Sequence, residues 1–336
     1  MTGAVEQSRN KSDPNNNVGV VIIGRNEGER LIACLKSALR DTPHVVYVDS
    51  GSTDDSAEAA RKLGAKVVAL DMTKPFTAAR ARNAGVEKLK QTSTTALIQF
   101  VDGDCEIVEG WIDHAVQFLS QQNDVAAVCG RRRERFPEAT IYNRLVDQEW
   151  ATPIGEAQSC GGDVLMRMAA FDASGGYNPG LIAGEEPEFC VRLRAKGWKI
   201  WRLDAEMTRH DIAMTSLGQW LKRARRAGHA FAEVSDLHHG TPEQIWARET
   251  LRAFFWTGLG IAGLAGGALI HPLLFMTLLI IPLQIIRMAL RDKPATKTSW
   301  AHASLIMLQK PWEAAGAIQY WLGKISGKNQ KLIEYK

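Results

Sequence analysis

Residues 99–107 read QFVDGDCEI. The apolar run Ala96-Leu97-Ile98-Gln99-Phe100-Val101 stops abruptly at Asp102-Gly103-Asp104, and Glu106 follows. Aspartate is a poor strand residue and is expensive to bury without a partner. A strand this hydrophobic that empties into acids ends either in a polar turn or in a divalent-metal site. Carboxylates two apart on extended chain point to the same side, as a metal would need.

The pattern on either side of this stretch sets the fold class. Upstream, VGVVII reads as a buried strand, followed by a helix over 27–39. HVVYVD is a second strand, 54–63 a second helix, AKVVAL a third strand and 77–89 a third helix leading into TALIQFV. Downstream come a helix over 111–119 and the strand VAAVCG. Strands alternating with helices over 18–211 predict an α/β fold with a mostly parallel central sheet covered on both faces. In such sheets ligands bind beyond the carboxyl ends of the strands. Polar clusters fall there: Gly24-Arg25-Asn26-Glu27 after the first strand, Asp49-Ser50-Gly51-Ser52-Thr53-Asp54 after the second, and Asp102-Gly103-Asp104.

At 336 residues the chain can bury a large core in one domain or two. Its net charge of +4 is too modest to argue for a nucleic-acid partner. Five widely spaced cysteines (Cys34, Cys105, Cys129, Cys160, Cys190) without a Cys-x-x-Cys pair indicate reduced thiols rather than a disulfide framework or a zinc site. Residues 1–17 are polar, lack an apolar signal-like stretch and read as a disordered lead.

Hydrophobicity concentrates late in the chain. Two apolar runs, FFWTGLGIAGLAGGALI and LLFMTLLIIPLQIIRMAL, lie within 254–290 and meet at His271-Pro272. Each is about 17–18 residues long, at the lower limit for crossing a bilayer. Arg248 and Arg252 precede the pair, and Arg287, Arg291, Lys293 and Lys297 close or follow it, which places both ends on the cytoplasmic face. A double crossing, a re-entrant wedge and a buried hairpin all fit. The preceding helix over 217–234 carries Lys222, Arg223, Arg225 and Arg226, and the tail over 299–336 carries Trp300, Trp312, Tyr320 and Trp321. Basic residues beside such aromatics suit a helix lying on a bilayer, or equally a solvated face on a packed helix. The expected division is a lead at 1–17, a catalytic α/β domain at 18–240 and a helical membrane-associated region at 241–336.

There is no G-x-G-x-x-G after the first strand and no P-loop, so dinucleotide and P-loop chemistry are disfavoured. VDSGSTDDS is a hydrogen-bonding turn in which Thr53 or Asp54 can cap the next helix, which leaves Asp49 less easily explained. AARARNAG sets Arg80, Arg82 and Asn83 early in a helix, able to meet a phosphate or base edge. Glu185-Glu186-Pro187-Glu188 opens another helix, either as dipole compensation or as the general base that transfer to a hydroxyl needs. His210, after a strand or turn over 198–207, could add a nitrogen ligand to the metal.

Together these segments resemble the inverting nucleotide-sugar glycosyltransferases of the GT-A fold, glycosyltransferase family 2. The resemblance covers residues 18–233 and lies in the order of VVIIGRNEGERLIACLKSAL, YVDSGSTDDS, AARARNAG, FVDGDCE and CGGDVLMRMAAFDASGGYNPGLIAGEEPEFCVRLRAKGW. With the apolar pair and the closing LIEYK, the chain is similar to membrane-associated members acting in bacterial exopolysaccharide assembly. The resemblance implies that Asn26, Glu27, Asp49, Arg82 and Asn83 hold the nucleotide and that Asp102 sits near ribose and metal. It also implies Asp104 as the ligand of Mg2+ or Mn2+, Asp163 facing the donor sugar and Glu186 as the base. Where the family usually has Glu-Asp this chain has Glu185-Glu186, so either acid can be the base. Processive members carry Gln-x-x-Arg-Trp, and this chain has Gln219-Trp220-Leu221-Lys222-Arg223, which implies one sugar added per encounter.

The implied reaction takes one sugar from a nucleotide-sugar donor, with a UDP-sugar favoured, to a hydroxyl of a polyprenyl-linked saccharide at the cytoplasmic face of the inner membrane. Two alternatives stand beside it. Polyprenyl phosphate itself can be the acceptor, needing no base, or the protein can be a catalytically silent scaffold of a membrane polysaccharide complex.

Overall fold

The computed structural model describes residues 17–291 and 294–327. The lead expected over 1–17 lies outside the described residues except for Asn17, as do Lys293 and the closing LIEYK. Two compact units form. One comprises the described residues up to Arg135 with Trp150–Pro179 and Glu186–Asp211. The other comprises Phe136–Glu149, Gly180–Glu185 and the chain from Ile212 onward.

The first unit opens with β1 (Val18–Gly24), α1 (Glu29–Asp41), β2 (Val45–Asp49), α2 (Ser56–Leu63), β3 (Lys66–Ala69), α3 (Ala78–Thr92) and β4 (Leu97–Asp102). Val, Ile and aromatic residues bury β1, β2 and β4 along nearly their whole length, as strands covered on both faces must be. Then follow β5 (Cys105–Ile107), α4 (Trp111–Gln121) and β6 (Val125–Glu134), and, in the second unit, α5 (Ile141–Glu149). β7 (Gly155–Glu156), β8 (Val164–Arg167), α6 (Met168–Ala173), α7 (Glu185–Ala195) and β9 (Lys199–His210) complete the set.

The sheet runs β3-β2-β1-β4-β8-β6-β9-β5, with β7 on β9. β3, β2, β1 and β4 are parallel, as their pattern predicts. β8 enters antiparallel between β4 and β6, and β5 and β7 pair antiparallel with β9, so the whole sheet is mixed. Those antiparallel members are short and need no crossover helix, which is why strand–helix alternation does not announce them.

Gln99, the one polar residue in the apolar run, is fully buried. Its amide donates to the Phe100 carbonyl at 2.8 Å and its oxygen accepts the Trp111 indole N–H at 2.9 Å. The burial cost of the amide is thereby met. On the same strand Phe100 joins Phe171, Tyr177 and Phe189 in a ring cluster, with centroids 4.8–5.8 Å apart for its contacting pairs.

In the second unit the helices are α8 (Leu217–Leu237), α9 (Ala247–Leu269), a 3-10 helix (Pro272–Leu279), α10 (Ile280–Ala289), α11 (Lys297–Leu308) and α12 (Lys310–Ser326). α8 packs within this helical unit, against α12 and α9. A methyl on Gly228 of α8 would fall 2.0 Å from the Glu313 carbonyl oxygen of α12, so glycine is what lets the two backbones meet. From the chain's earlier insert, Tyr142 stacks near Trp220 with centroids 5.9 Å apart, and Arg223 pairs with Glu149 at 2.8 Å.

The two apolar runs do pack on each other. Gly263 and Gly267 of α9 lie against Leu278 and Phe275, where an added methyl would come within 2.6 and 2.5 Å. Among the described residues one segment, Pro272–Ala289, is long and apolar enough to cross a membrane, with a mean hydropathy of 1.9 and 6% of it buried. It is made of the 3-10 helix and α10 in succession. Trp300, Trp312 and Trp321 remain partly exposed, but Tyr320 does not join them. It is buried, and its hydroxyl donates to Asp236.

Asp236 also receives Lys324 of α12. Burial pulls its carboxyl up, but the Lys324 ammonium and the Tyr320 hydroxyl outweigh that and hold it below the ordinary carboxylate value of 3.8. A depressed folded-state pKa contributes stability that is present above 3.8 and lost as pH falls below it. Because Lys324 is half exposed, the expected cost of Asp236→Asn at pH 7 is only about 1 kcal/mol. Urea unfolding of both proteins at neutral pH and at a pH below the carboxylate range checks this: the difference should disappear in acid.

Candidate functional site

Sheet register brings the first acids together. Asp49 lies opposite Gly24, and Asp102 opposite Ile23, so the two carboxylates flank the end of β1 at the carboxyl edge. Asp49 is buried; its Oδ1 accepts from the Tyr47 hydroxyl at 3.1 Å, and its Oδ2 from the backbone N–H groups of Gly51 and Ser52 at 3.2 and 3.1 Å. Asn26 takes a positive φ of 55°, which asparagine tolerates better than most residues. Its side-chain oxygen accepts from the Thr53 N–H at 2.7 Å, and its own N–H donates to Ser52 Oγ at 2.9 Å. The turns after β1 and β2 are thus laced into one wall. Glu27 completes it, paired with Arg30 at 2.7 Å.

A buried charge cluster lies beside this wall. Thr77 caps α3 by accepting from Arg80 N–H, which starts the helix so that Arg82 points inward. Arg82 is 3% exposed and pairs with Asp102 at 2.8 Å. From β6, Arg132 Nε meets Asp163 Oδ2 at 3.0 Å, and its Nη2 stands 4.0 Å from Asp102. That Nη2 makes no hydrogen bond among the described residues. Gly162 lies over the cluster: a methyl there would sit 2.8 Å from Arg82 Nη2 and 3.2 Å from Asp102 Oδ2. No other residue fits without disturbing the group.

Two residues of the expected set bond to the protein itself. Asp163 does not open toward a donor sugar in this structure. It is fully buried, with one oxygen accepting the Asp102 N–H at 3.1 Å and the other the Thr208 hydroxyl at 2.6 Å. Asn83 spends both ends of its amide on Tyr177, donating to the carbonyl at 2.7 Å and accepting the N–H at 3.0 Å. It braces the Gly175-Gly176-Tyr177 turn under the Arg82 guanidinium, which stacks 5.6 Å from the Tyr177 ring.

Antiparallel pairing of β5 with β9 sets Cys105 opposite His210 and so turns the preceding residue, Asp104, to the imidazole. Asp104 Oδ2 and His210 Nε2 are 3.0 Å apart, both buried. His210 Nδ1 makes no hydrogen bond among the described residues. Trp150 covers the imidazole with centroids 4.9 Å apart. Burial, and then the Arg132 charge, pull His210 down to about 4, so the ring is neutral at pH 7. A neutral imidazole and a carboxylate form a donor set for a divalent cation, and a 3.0 Å spacing is the edge of an octahedron with bonds of about 2.1 Å. The residues fit such an ion. Cys105 belongs to the same buried group of three, and burial pushes its thiol far up. Asp102 stands outside that group, turned to Arg82.

Glu186, in the first turn of α7, is 7% exposed. Its Oε1 accepts from the Cys160 N–H at 2.6 Å, from the Cys160 thiol at 3.1 Å and from the Cys190 thiol at 3.0 Å. A hydrogen bond with Cys190, together with burial, pushes the Cys160 thiol far up, and burial pushes Cys190 up to about 11, so both donate as neutral S–H groups. Glu185 is half-buried, and Glu188 is taken by a two-pronged pair with Arg192, 2.8 Å on each side. Glu106 pairs with Arg135 at 3.0 Å.

Arg132, Thr208, Trp150 and the two cysteines were not anticipated. Arg132 had a signal: in RRRE the middle arginine of three on a strand faces opposite to its neighbours, so one face had to carry a charge inward. The cysteines had a weaker one, Glu186 and Cys190 being one helical turn apart.

The family described as Glycosyl transferase family 2 matches this chain over residues 19–171. The chain is similar to Glycosyltransferase AglE of Haloferax volcanii, 31% identical over 247 residues that cover 68% of this chain and 78% of that protein. It is also similar to the succinoglycan biosynthesis protein ExoA of Rhizobium meliloti, 27% identical over 188 residues, 52% of this chain and 56% of that one. Among solved structures, the mannosyltransferase PcManGT of Pyrobaculum calidifontis, in complex with GDP-Man and Mn2+, matches with a TM-score of 0.65 and 16% identity over 92% of this chain and 88% of its own. At that identity the likeness shows the fold alone, a GT-A fold with a helical C-terminal region.

Proposed function

We propose, from the premise that this chain belongs to glycosyltransferase family 2, that it moves one sugar from a nucleotide-diphosphate donor to a hydroxyl of a lipid-linked saccharide, with inversion. The observation that carries the reading is the Asp104–His210 pair, two ligand-type side chains brought from 106 positions apart to 3.0 Å at the carboxyl edge of the sheet. Asp104 and His210 would hold the cation. When bound, a divalent cation neutralises charge growing on the departing diphosphate. A nitrogen donor beside a carboxylate favours Mn2+ over Mg2+, which prefers oxygen ligands.

The chain's own residues do the rest. Asn26, Glu27 and Asp49 form the wall for the nucleoside. Arg82 and Arg132, with Asp102 between them, offer charge to the diphosphate, and Asp163 acts by holding Asp102 and Arg132 in place. Glu186, its Oε1 oriented by the Cys160 N–H, takes the proton from the acceptor hydroxyl as that oxygen attacks the anomeric carbon from the face opposite the leaving group. A single direct displacement inverts the configuration.

Relatedness to ExoA, a succinoglycan biosynthesis protein, and the exposed apolar segment Pro272–Ala289 support polysaccharide assembly at a membrane. The basic residues flanking the apolar pair support its cytoplasmic face. The preference for UDP has no feature of the site behind it, so a donor panel must span UDP- and GDP-sugars. With Mn2+ present, the matched donor is expected to stabilise the protein by mass action, about 2.7 kcal/mol at a hundredfold excess over Kd. A thermal-shift panel reads this; no shift with any nucleotide sugar, with or without Mn2+, would sink the reading.

A further inference from the structure

Glu186 shares its surroundings with two thiols that sugar transfer does not require. Glu186 and Cys190 are one turn apart on α7 and so lie on one face, and Cys160 comes to them from the loop before Gly161-Gly162. The two sulfurs are 3.6 Å apart, and Glu186 Oε1 lies 3.1 and 3.0 Å from them. All three side chains are buried, with only Cys160 and Glu186 keeping a trace of exposure, at 8% and 7%.

We propose that Cys160, Cys190 and Glu186 form a second cation site, for a thiophilic ion of the Zn2+ class, and that its occupancy silences the base. Tetrahedral zinc with bonds of about 2.3 Å to sulfur and 2.0–2.2 Å to oxygen sets sulfur–sulfur spacings of about 3.8 Å and sulfur–oxygen spacings of about 3.5 Å. The sulfurs already stand close to that spacing, and the carboxylate has only to draw back by about half an ångström. Coordination replaces the two S–H protons, which leave to solvent, and no electron changes hands. The exposed edge at Cys160 and Glu186 is the way in, and leaves the fourth position to water.

Ligand softness separates this site from the other one. Thiolates select Zn2+ and its heavier congener Cd2+, whereas the carboxylate and imidazole of Asp104 and His210 serve a harder ion. An ion held by Glu186 would neutralise the carboxylate that takes the acceptor proton. The silencing half rests on the reading of Glu186 as base; the site itself does not.

Cd2+ is the probe, titrated into reduced full-length protein with Mn2+ in excess. The expected result is an ultraviolet thiolate-to-cadmium charge-transfer band that saturates at one equivalent and is competed away by Zn2+. Cys160→Ser and Cys190→Ser should each lose it, while Cys34→Ser keeps it, with thermal melts confirming that each variant is folded. Absence of the band in the unaltered protein overturns the proposal whatever the variants do. Transfer measured in the same titration should fall by about 10²–10⁴-fold, the usual contribution of a general base, and recover on chelation of the Cd2+. A full band with undiminished transfer would keep the site, overturn the silencing, and remove Glu186 from the role of base.

Discussion

Glu186→Gln is expected to lower sugar transfer by about 10²–10⁴-fold while leaving the fold and donor binding intact. Glutamine has the same shape, and its side-chain oxygen can still accept from the Cys160 N–H that positions Oε1. What it cannot do is take a proton from a hydroxyl. The effect should therefore fall on kcat with the matched donor, with an unchanged melting temperature and an unchanged donor-induced thermal shift. The half-buried neighbour provides the comparison: if Glu185→Gln shows the loss and Glu186→Gln does not, the role of base moves by one residue. Transfer that survives both substitutions favours polyprenyl phosphate as acceptor, because its oxygen is already ionised.

Asp104→Ala should abolish metal-dependent turnover. Its carboxylate is the charged member of the Asp104–His210 pair, and without it a neutral imidazole is left. Losing a mere outer-shell partner costs about 10–100-fold in metal affinity, so losing the charged ligand should exceed that. The measurement is a Mn2+ titration of the donor-induced thermal shift, together with slow hydrolysis of the nucleotide sugar in the absence of acceptor. Hydrolysis in the unaltered protein that disappears in the variant would exclude a catalytically silent scaffold. Mn2+ response undiminished in Asp104→Ala would instead place the ion elsewhere. Removing Asp104 also leaves the buried His210 Nε2 without its partner, at a cost of about 1–3 kcal/mol. His210→Gln serves as the second variant, since it tests the nitrogen ligand while keeping the carboxylate.

Where the candidate site lies in the sheet could be read from QFVDGDCEI and its neighbours. Strand periodicity and turn chemistry are local, so β1, β2 and β4 and the polar clusters at their carboxyl ends were legible in advance. The parallel register then had to place Asp49 and Asp102 on either side of β1. The antiparallel half was less visible, because β5, β7 and β8 have 3, 2 and 4 residues, too few for any period to show.

The three acids of that stretch divide along the same line. That they terminate a buried strand follows from the order of residues alone, since aspartate ends what valine and phenylalanine extend. Their separate fates do not. Asp102 turns to Arg82 from α3, Asp104 turns to His210 because β5 pairs with β9, and Glu106 turns to Arg135 at the surface. Asp163 and Asn83 make the same point, each carrying a ligand-type side chain that the fold bonds to the protein's own backbone and hydroxyls. Residue type and spacing are local and determine which groups can do chemistry. Partners 20 to 106 positions away decide which of those groups are left to do it, and only the folded chain brings them within hydrogen-bond distance.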